Sequence, residues 1–357
     1  MTSLARLAAA ASVCGLLWVP AVPQAQEQPN TRIQVQVNEV ILPVTVSDDK
    51  GKFVSNLEQK DFRVYDEGRP QRVTFFSHDQ KQPVVVGFLL DMSNATRQNW
   101  KRFQDASMEL VWNLLPGDKG QRYTGYLISY SNEAELLVNT TPDSDKIADK
   151  IRNMKPAGGA ALFDAIYMAL TRHDLVKGEP FEPRRVIVVI GDGHDSASKR
   201  TLDEVIELAQ RQQVTIFGMS TMAYGFDNPD RPVLERLAEE TGGRVEYPMN
   251  TLYRDLSANT YFAQPSDEGS YAYKVGTGGY EAAISGNIIK AVGSIIGNIT
   301  TQYVLRYVPD VDPEAKVKTF RNIKVEIADL PNVKIQVRKG YYPQGAPGSP
   351  APGTPTH

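Results

Sequence analysis

The chain has 357 residues, of which 41% are hydrophobic and 23% charged, an ordinary globular composition whose length suits two units or one domain inserted into another. A formal net charge of −3, with 39 basic against 42 acidic residues, and the lack of any Lys/Arg run give no footing for nucleic acid or anionic membrane. The single cysteine, Cys14, excludes a disulfide framework and a thiolate metal site.

The first residues have the pattern of an export signal. Arg6 gives a positive start, residues 7–19 are an apolar run, and Pro20, Ala21 and Ala25 offer a break and small cleavage positions. Residues 1–25 are therefore read as a signal peptide, the mature chain as exported to the periplasm, cell surface or medium, and no membrane span is expected in it. The apolar run is short of the ~20 residues a span requires. Val13 before Cys14 does not suit a lipoprotein signal, so the mature chain carries no cysteine.

Residues 31–80 form an N-terminal β segment. Ile33, Val35, Val37, Val40, Leu42, Val44 and Val46 alternate with period two; Asp48 to Lys52 make a hairpin-type turn, and further strands are predicted at 61–65 and 73–76. From Pro83 the pattern changes. Residues 84–90 are a continuous apolar run, as for a parallel strand buried on both faces. Strands at 123–130, 135–138, 186–190, 214–219 and 244–247 then alternate with helices that end near 115 and span 161–170, 202–212 and 233–240. Gly242 and Gly243 supply the C-cap of the last helix. This alternation predicts an α/β fold, a doubly wound, mostly parallel six-stranded sheet over residues 83–300. Residues 252–279, polar and glycine-rich, are expected to be a loop insertion, with Tyr253, Tyr261, Phe262, Tyr271, Tyr273 and Tyr280 as anchors or partner contacts. Ile284, Ile288, Ile289, Val292, Ile295, Ile296 and Ile299 are spaced for a helix packed on the sheet. Strands return at 302–308, 321–326 and 333–337. The C-terminal β segment, 301–343, is expected to pair with the N-terminal one in a β-sandwich-like domain, ahead of a disordered Pro/Gly-rich tail at 344–357.

Ligands of a doubly wound sheet sit beyond the carboxyl ends of its strands. Two buried strands end in acidic loops, one at Asp91-Met92-Ser93-Asn94-Ala95-Thr96 and one at Asp192-Gly193-His194-Asp195, and Gly158-Gly159-Ala160 opens a helix between them. No catalytic constellation emerges. The four histidines have no zinc spacing, His194 reads as an exposed loop residue, and no Gly-x-Ser-x-Gly elbow or phosphate loop is present. The chain is accordingly read as not an enzyme and without catalytic residues.

The strand ending in Asp91-x-Ser93, the Gly-Gly-x-Ala-Leu-Phe-Asp stretch and the strand ending in Asp192-Gly193 resemble the von Willebrand factor A family. The flanks, through Tyr303 to Pro309 and Arg338 to Tyr342, resemble its bacterial secreted VWFA-related branch, common in acidobacteria. The resemblance covers residues 31–343. It implies a metal-ion-dependent adhesion site with Asp91, Ser93 and Asp192 as ligands of Mg²⁺, or of Mn²⁺ or Ca²⁺, completed by a protein partner. Mg²⁺ takes six hard oxygens and keeps several waters. Ala95 and Ala160 stand where the family has a serine and a threonine, so two hydroxyl ligands are lost; Thr96 is displaced by one position, and Asp195 is either an added ligand or a turn residue. Two readings stay open: a weakened ion site, or a vestigial one in which Asp91 and Asp192 serve backbone donors. The function implied is partner binding through the top face of the α/β domain, and the alternative is a structural or assembly protein of the cell envelope.

Overall fold

In the computed structural model, residues 39–78, 83–117, 123–176, 183–222, 230–249, 268–310, 319–330 and 332–343 are described. All lie in one compact unit, Val37–His357. The predicted signal peptide, residues 31–38, the tail at 344–357 and most of the predicted insertion, including the side chains of its aromatics, lie outside the described residues.

The centre is a six-stranded sheet. Its strands are β5 (Val84–Asp91), β6 (Tyr123–Tyr130), β7 (Ala134–Thr141), β8 (Arg184–Gly191), β9 (Thr215–Ser220) and β10 (Val245–Glu246), preceded in the chain by β1 to β4, described below. The order is β10-β9-β8-β5-β6-β7, parallel except for the edge strand β7. Every residue of β5 is buried, because helices cover both faces. One face carries α1 (Trp100–Leu114) and α2 (Ser144–Arg152); the other carries α3 (Leu162–Thr171), α4 (Leu202–Arg211) and α5 (Arg231–Thr241). Strand alternation divides the core accordingly: Val84, Val86, Phe88 and Leu90 face one layer, Val85 and Leu89 the other. Gly242 closes α5 in the left-handed conformation, φ 88°, as its sequence position predicts. Helix α2 has no counterpart among the predicted elements, since only Ile147, Ala148 and Ile151 of its nine residues are buried in a charged background.

The helix α6 (Glu268–Thr300) corrects the sequence reading. A loop was expected through residue 279, yet the helix begins at Glu268. Glycines 276, 278 and 279 disfavour helix by about 1 kcal/mol each, but extending a nucleated helix adds one hydrogen bond per residue without a new nucleation cost. Its later turns pack on the sheet, with Ile284, Ile288, Val292, Ile295 and Ile299 buried in the same core as α1 and α2 and Ile296 partly so, whereas Ile289, expected with them, is exposed. Residues 282–300 are long and apolar enough to cross a membrane by length and composition alone. Here they bury that apolar face in protein.

The chain before β5 and after α6 builds two four-stranded antiparallel sheets. One has the order β13-β1-β11-β4, the other β14-β12-β2-β3. Their strands are β1 (Val40–Ser47), β2 (Phe62–Asp66), β3 (Arg69–Gln71), β4 (Val73–Ser77), β11 (Tyr303–Tyr307), β12 (Arg321–Ile327), β13 (Lys334–Gln336) and β14 (Gly340–Tyr341). The turn after β1 closes through Asp48 N–H to Lys52 O (2.9 Å), with Gly51 at φ 82°. The two sheets share one core containing Leu42, Val44, Phe62, Val64, Tyr303, Leu305, Ile323 and Val325. Each sheet mixes strands from both ends of the chain, so the α/β unit is an insertion in the sandwich. The lobes are joined by Ile41 N–H to Gln213 Oε1 (3.2 Å), Gln336 Nε2 to Gly242 O (3.2 Å) and Arg338 Nη2 to Gln213 O (3.3 Å).

Candidate functional site

The loops after β5 and β8 and the turn before α3 meet at the carboxyl edge of the sheet. Met92 N–H donates to Tyr130 O (2.8 Å), Ala157 N–H to Met92 O (2.7 Å) and Asn94 N–H to Gly158 O (3.0 Å). Ser196 N–H and Ala197 N–H both donate to Ala160 O, at 2.8 and 3.0 Å. Asn132, on the turn between β6 and β7, accepts from Gly159 N–H (2.7 Å), and Gly158 takes the positive φ of 98° this approach needs.

Asp91 ends β5 and is 1% exposed. Its Oδ1 accepts Ser93 N–H at 2.7 Å, whereas its Oδ2 has no partner among the described residues, and neither has the buried Ser93 Oγ. Burial first, and then the nearby charge of Asp192, push the Asp91 carboxyl up to about 7. Burial also raises Asp192, whose Oδ1 accepts His194 N–H at 2.9 Å. The fold thus gathers Asp91, Ser93 and Asp192 in one place and leaves two of their oxygens, Asp91 Oδ2 and Ser93 Oγ, without hydrogen bonds among the described residues. A buried polar atom without a partner costs stability unless water or an ion serves it.

The other candidates separate from this group. Thr96 is buried, and its hydroxyl is spent on Asp91 O (3.2 Å) and Ser93 O (3.0 Å). Asp195 accepts Phe163 N–H (2.9 Å) and the Ser198 hydroxyl (2.6 Å) through Oδ2; it caps α3, so its carboxylate is already used. Asp164 accepts Lys199 N–H and Arg200 N–H in the same way. His194 Nδ1 lies 2.8 Å from Asp230 Oδ2, and that hydrogen bond raises its pKa. Ala95 is exposed and Ala160 fully buried. Among the described residues, no group of three or more His, Cys, Asp or Glu side chains is placed to hold a metal ion. The oxygens that fit one are a carboxylate and a hydroxyl beside a second carboxylate, a hard-donor set suited to Mg²⁺, Mn²⁺ or Ca²⁺ and poor for soft ions.

One residue at this edge escaped the sequence reading. Tyr130, the last residue of β6, is fully buried and its hydroxyl has no partner among the described residues. It is the register partner of Asp91. Burial, and then Asp91 and Asp192, raise its pKa. A Cβ at Gly191, at the end of β8, would collide with the Tyr130 hydroxyl and stand 3.2 Å from Asp91 Oδ2. The glycine is what admits the phenol.

Residues 86–257 match the family described as von Willebrand factor type A domain. No curated protein matches the chain. Solved structures similar to it include an aerotolerance-related membrane protein from Bacteroides fragilis, with 16% identity over 49% of this chain and 97% of that one at a TM-score of 0.38. The vWF domain of the type V pili tip protein Mfa5 from Porphyromonas gingivalis has 25% identity over 32% of this chain and 38% of that one, TM-score 0.29. Proximal thread matrix protein 1 from the mussel byssus, with a zinc-occupied MIDAS motif, has 13% identity over 60% of this chain and 48% of that one, TM-score 0.40.

Proposed function

Given that this chain carries a von Willebrand factor type A domain over residues 86–257, we propose that it is an exported, non-enzymatic binding protein that takes a protein partner on the top face of that domain. A reduced metal-ion-dependent site lies at the centre of the face. Asp91, Ser93 and Asp192 hold the ion, and Mg²⁺ or Mn²⁺ suits them best. The ion supplies an electrophilic centre for a carboxylate of the partner. The protein's own residues position that centre: Ser93 N–H fixes Asp91, His194 N–H fixes Asp192, and Asp195 and Thr96 hold the loops without joining the set.

The observation that carries this reading is the pair of unpartnered buried oxygens, Asp91 Oδ2 and Ser93 Oγ. Loss of the hydroxyls at Ala95 and Ala160 points to weak affinity, with waters in their place. Calorimetric titration of the protein lacking residues 1–25 with Mg²⁺ and Mn²⁺ tests it. One ion per chain is expected for the parent and none for Asp91→Ala. Flat titrations at millimolar ion would leave the alternative, a structural protein of the envelope.

A further inference from the structure

We infer that Tyr130 contributes a neutral oxygen to the ion's shell, replacing the hydroxyl that Ala160 lacks. This rests on the ion site proposed above and goes beyond its three ligands. Three buried side-chain oxygens at this edge have no hydrogen-bond partner among the described residues: Asp91 Oδ2, Ser93 Oγ and Tyr130 Oη. They come from neighbouring strands in register, Asp91 opposite Tyr130, and strand alternation puts Asp91, Tyr130 and Gly191 on one face of the sheet, the face of α3 and α4.

The surroundings are shaped for the phenol. Gly191 leaves open the space its hydroxyl enters, since any Cβ there would collide with it and approach Asp91 Cβ to 2.9 Å. Ala160, small and fully buried, belongs to the same hydrophobic cluster as Tyr130. A ring that needed only apolar burial would be served by phenylalanine. A buried hydroxyl that makes no hydrogen bond among the described residues is a loss unless something that is bound there meets it. A phenol oxygen has a lone pair to offer a hard cation or one of its waters, and it adds no charge beside two carboxylates.

Terbium, a hard trivalent probe whose emission is excited through nearby tyrosine, and Mg²⁺ calorimetry test this with the protein lacking residues 1–25 and its Tyr130→Phe variant. The parent should bind Mg²⁺ and show tyrosine-sensitised terbium emission that Mg²⁺ quenches. The variant should bind Mg²⁺ about tenfold more weakly or worse, a free-energy loss of about 1.4 kcal/mol. Its terbium emission at saturation should fall severalfold, while its melting temperature in chelator is no lower than the parent's. Equal affinity and equal emission in the two proteins would overturn the role of Tyr130 and leave the three-ligand site standing. A parent that binds neither ion would overturn both. If the variant melts lower in chelator, the parent's terbium emission decides, and its absence in a parent that binds Mg²⁺ overturns the assignment.

Discussion

At the scale of single residues, Asp91 holds the least comfortable position in the domain. It is buried beside a second carboxylate, and its carboxyl is raised from the ordinary 3.8 to about 7. The folded state therefore keeps a proton that the unfolded chain releases near pH 4. Without ion, stability should fall as pH rises from about 4 to 7 and stay level above, because there both states are ionised. The loss is on the order of a few kcal/mol. In chelator, denaturant titrations of the parent against Asp91→Asn should converge near pH 4 and separate by pH 8, with the asparagine protein the more stable; curves that stay parallel would refute the raised carboxyl. That the loops of Asp91, Ser93 and Asp192 end buried strands was legible in the sequence, because each follows a short apolar run; their role as ligands came only from the family resemblance. Tyr130 was not legible at all. Its proximity to Asp91 follows from the register of β5 on β6 and from the absent side chain at 191, neither of which a linear motif contains.

At the scale of elements, helix α3 enters the site fixed by a side chain remote in sequence. Helix α3 starts at Leu162 without a cap of its own, and Asp195, from the loop after β8, supplies one. Asp195→Ala should therefore cost about 1–2 kcal/mol of stability and leave Mg²⁺ affinity within a factor of two. A large loss of affinity at unchanged stability would make Asp195 a ligand after all. Sequence patterning found the buried strands reliably, because a strand covered on both faces is apolar over most of its length, as β5 is from Val84 to Leu90 and β8 from Val186 to Ile190. It missed α2, which buries three residues, and it started α6 too late, because glycines mark a loop only where no helix already stands to be extended. Arg184, buried at the start of β8, shows the same long reach: it donates to Ile299 O (2.5 Å) and to Gln302. A positive group on the last carbonyls of α6 favours the helix dipole and fixes where the helix stops.

At the scale of the whole molecule, the sandwich is tied at Asp66. Its Oδ2 accepts the hydroxyls of Tyr307 (3.0 Å) and Tyr341 (2.9 Å), and its Oδ1 accepts Arg321 Nε (2.9 Å). One fully buried carboxylate thus binds three donors from the other end of the chain. Asp66→Ala leaves them unmatched and should cost about 3–5 kcal/mol, read as a lower denaturant midpoint with the top-face ion affinity preserved in the folded fraction. Tyr341 is 275 positions from Asp66. This separation has a consequence for the order in which the fold can form. Strand β1 is made before the α/β unit and its neighbours β11 and β13 after it, so during synthesis the strands before that unit wait, with open edges, while the whole of it is made. Such edges invite pairing with other chains. A nascent chain stopped before β11 lacks both of the strands that pair with β1.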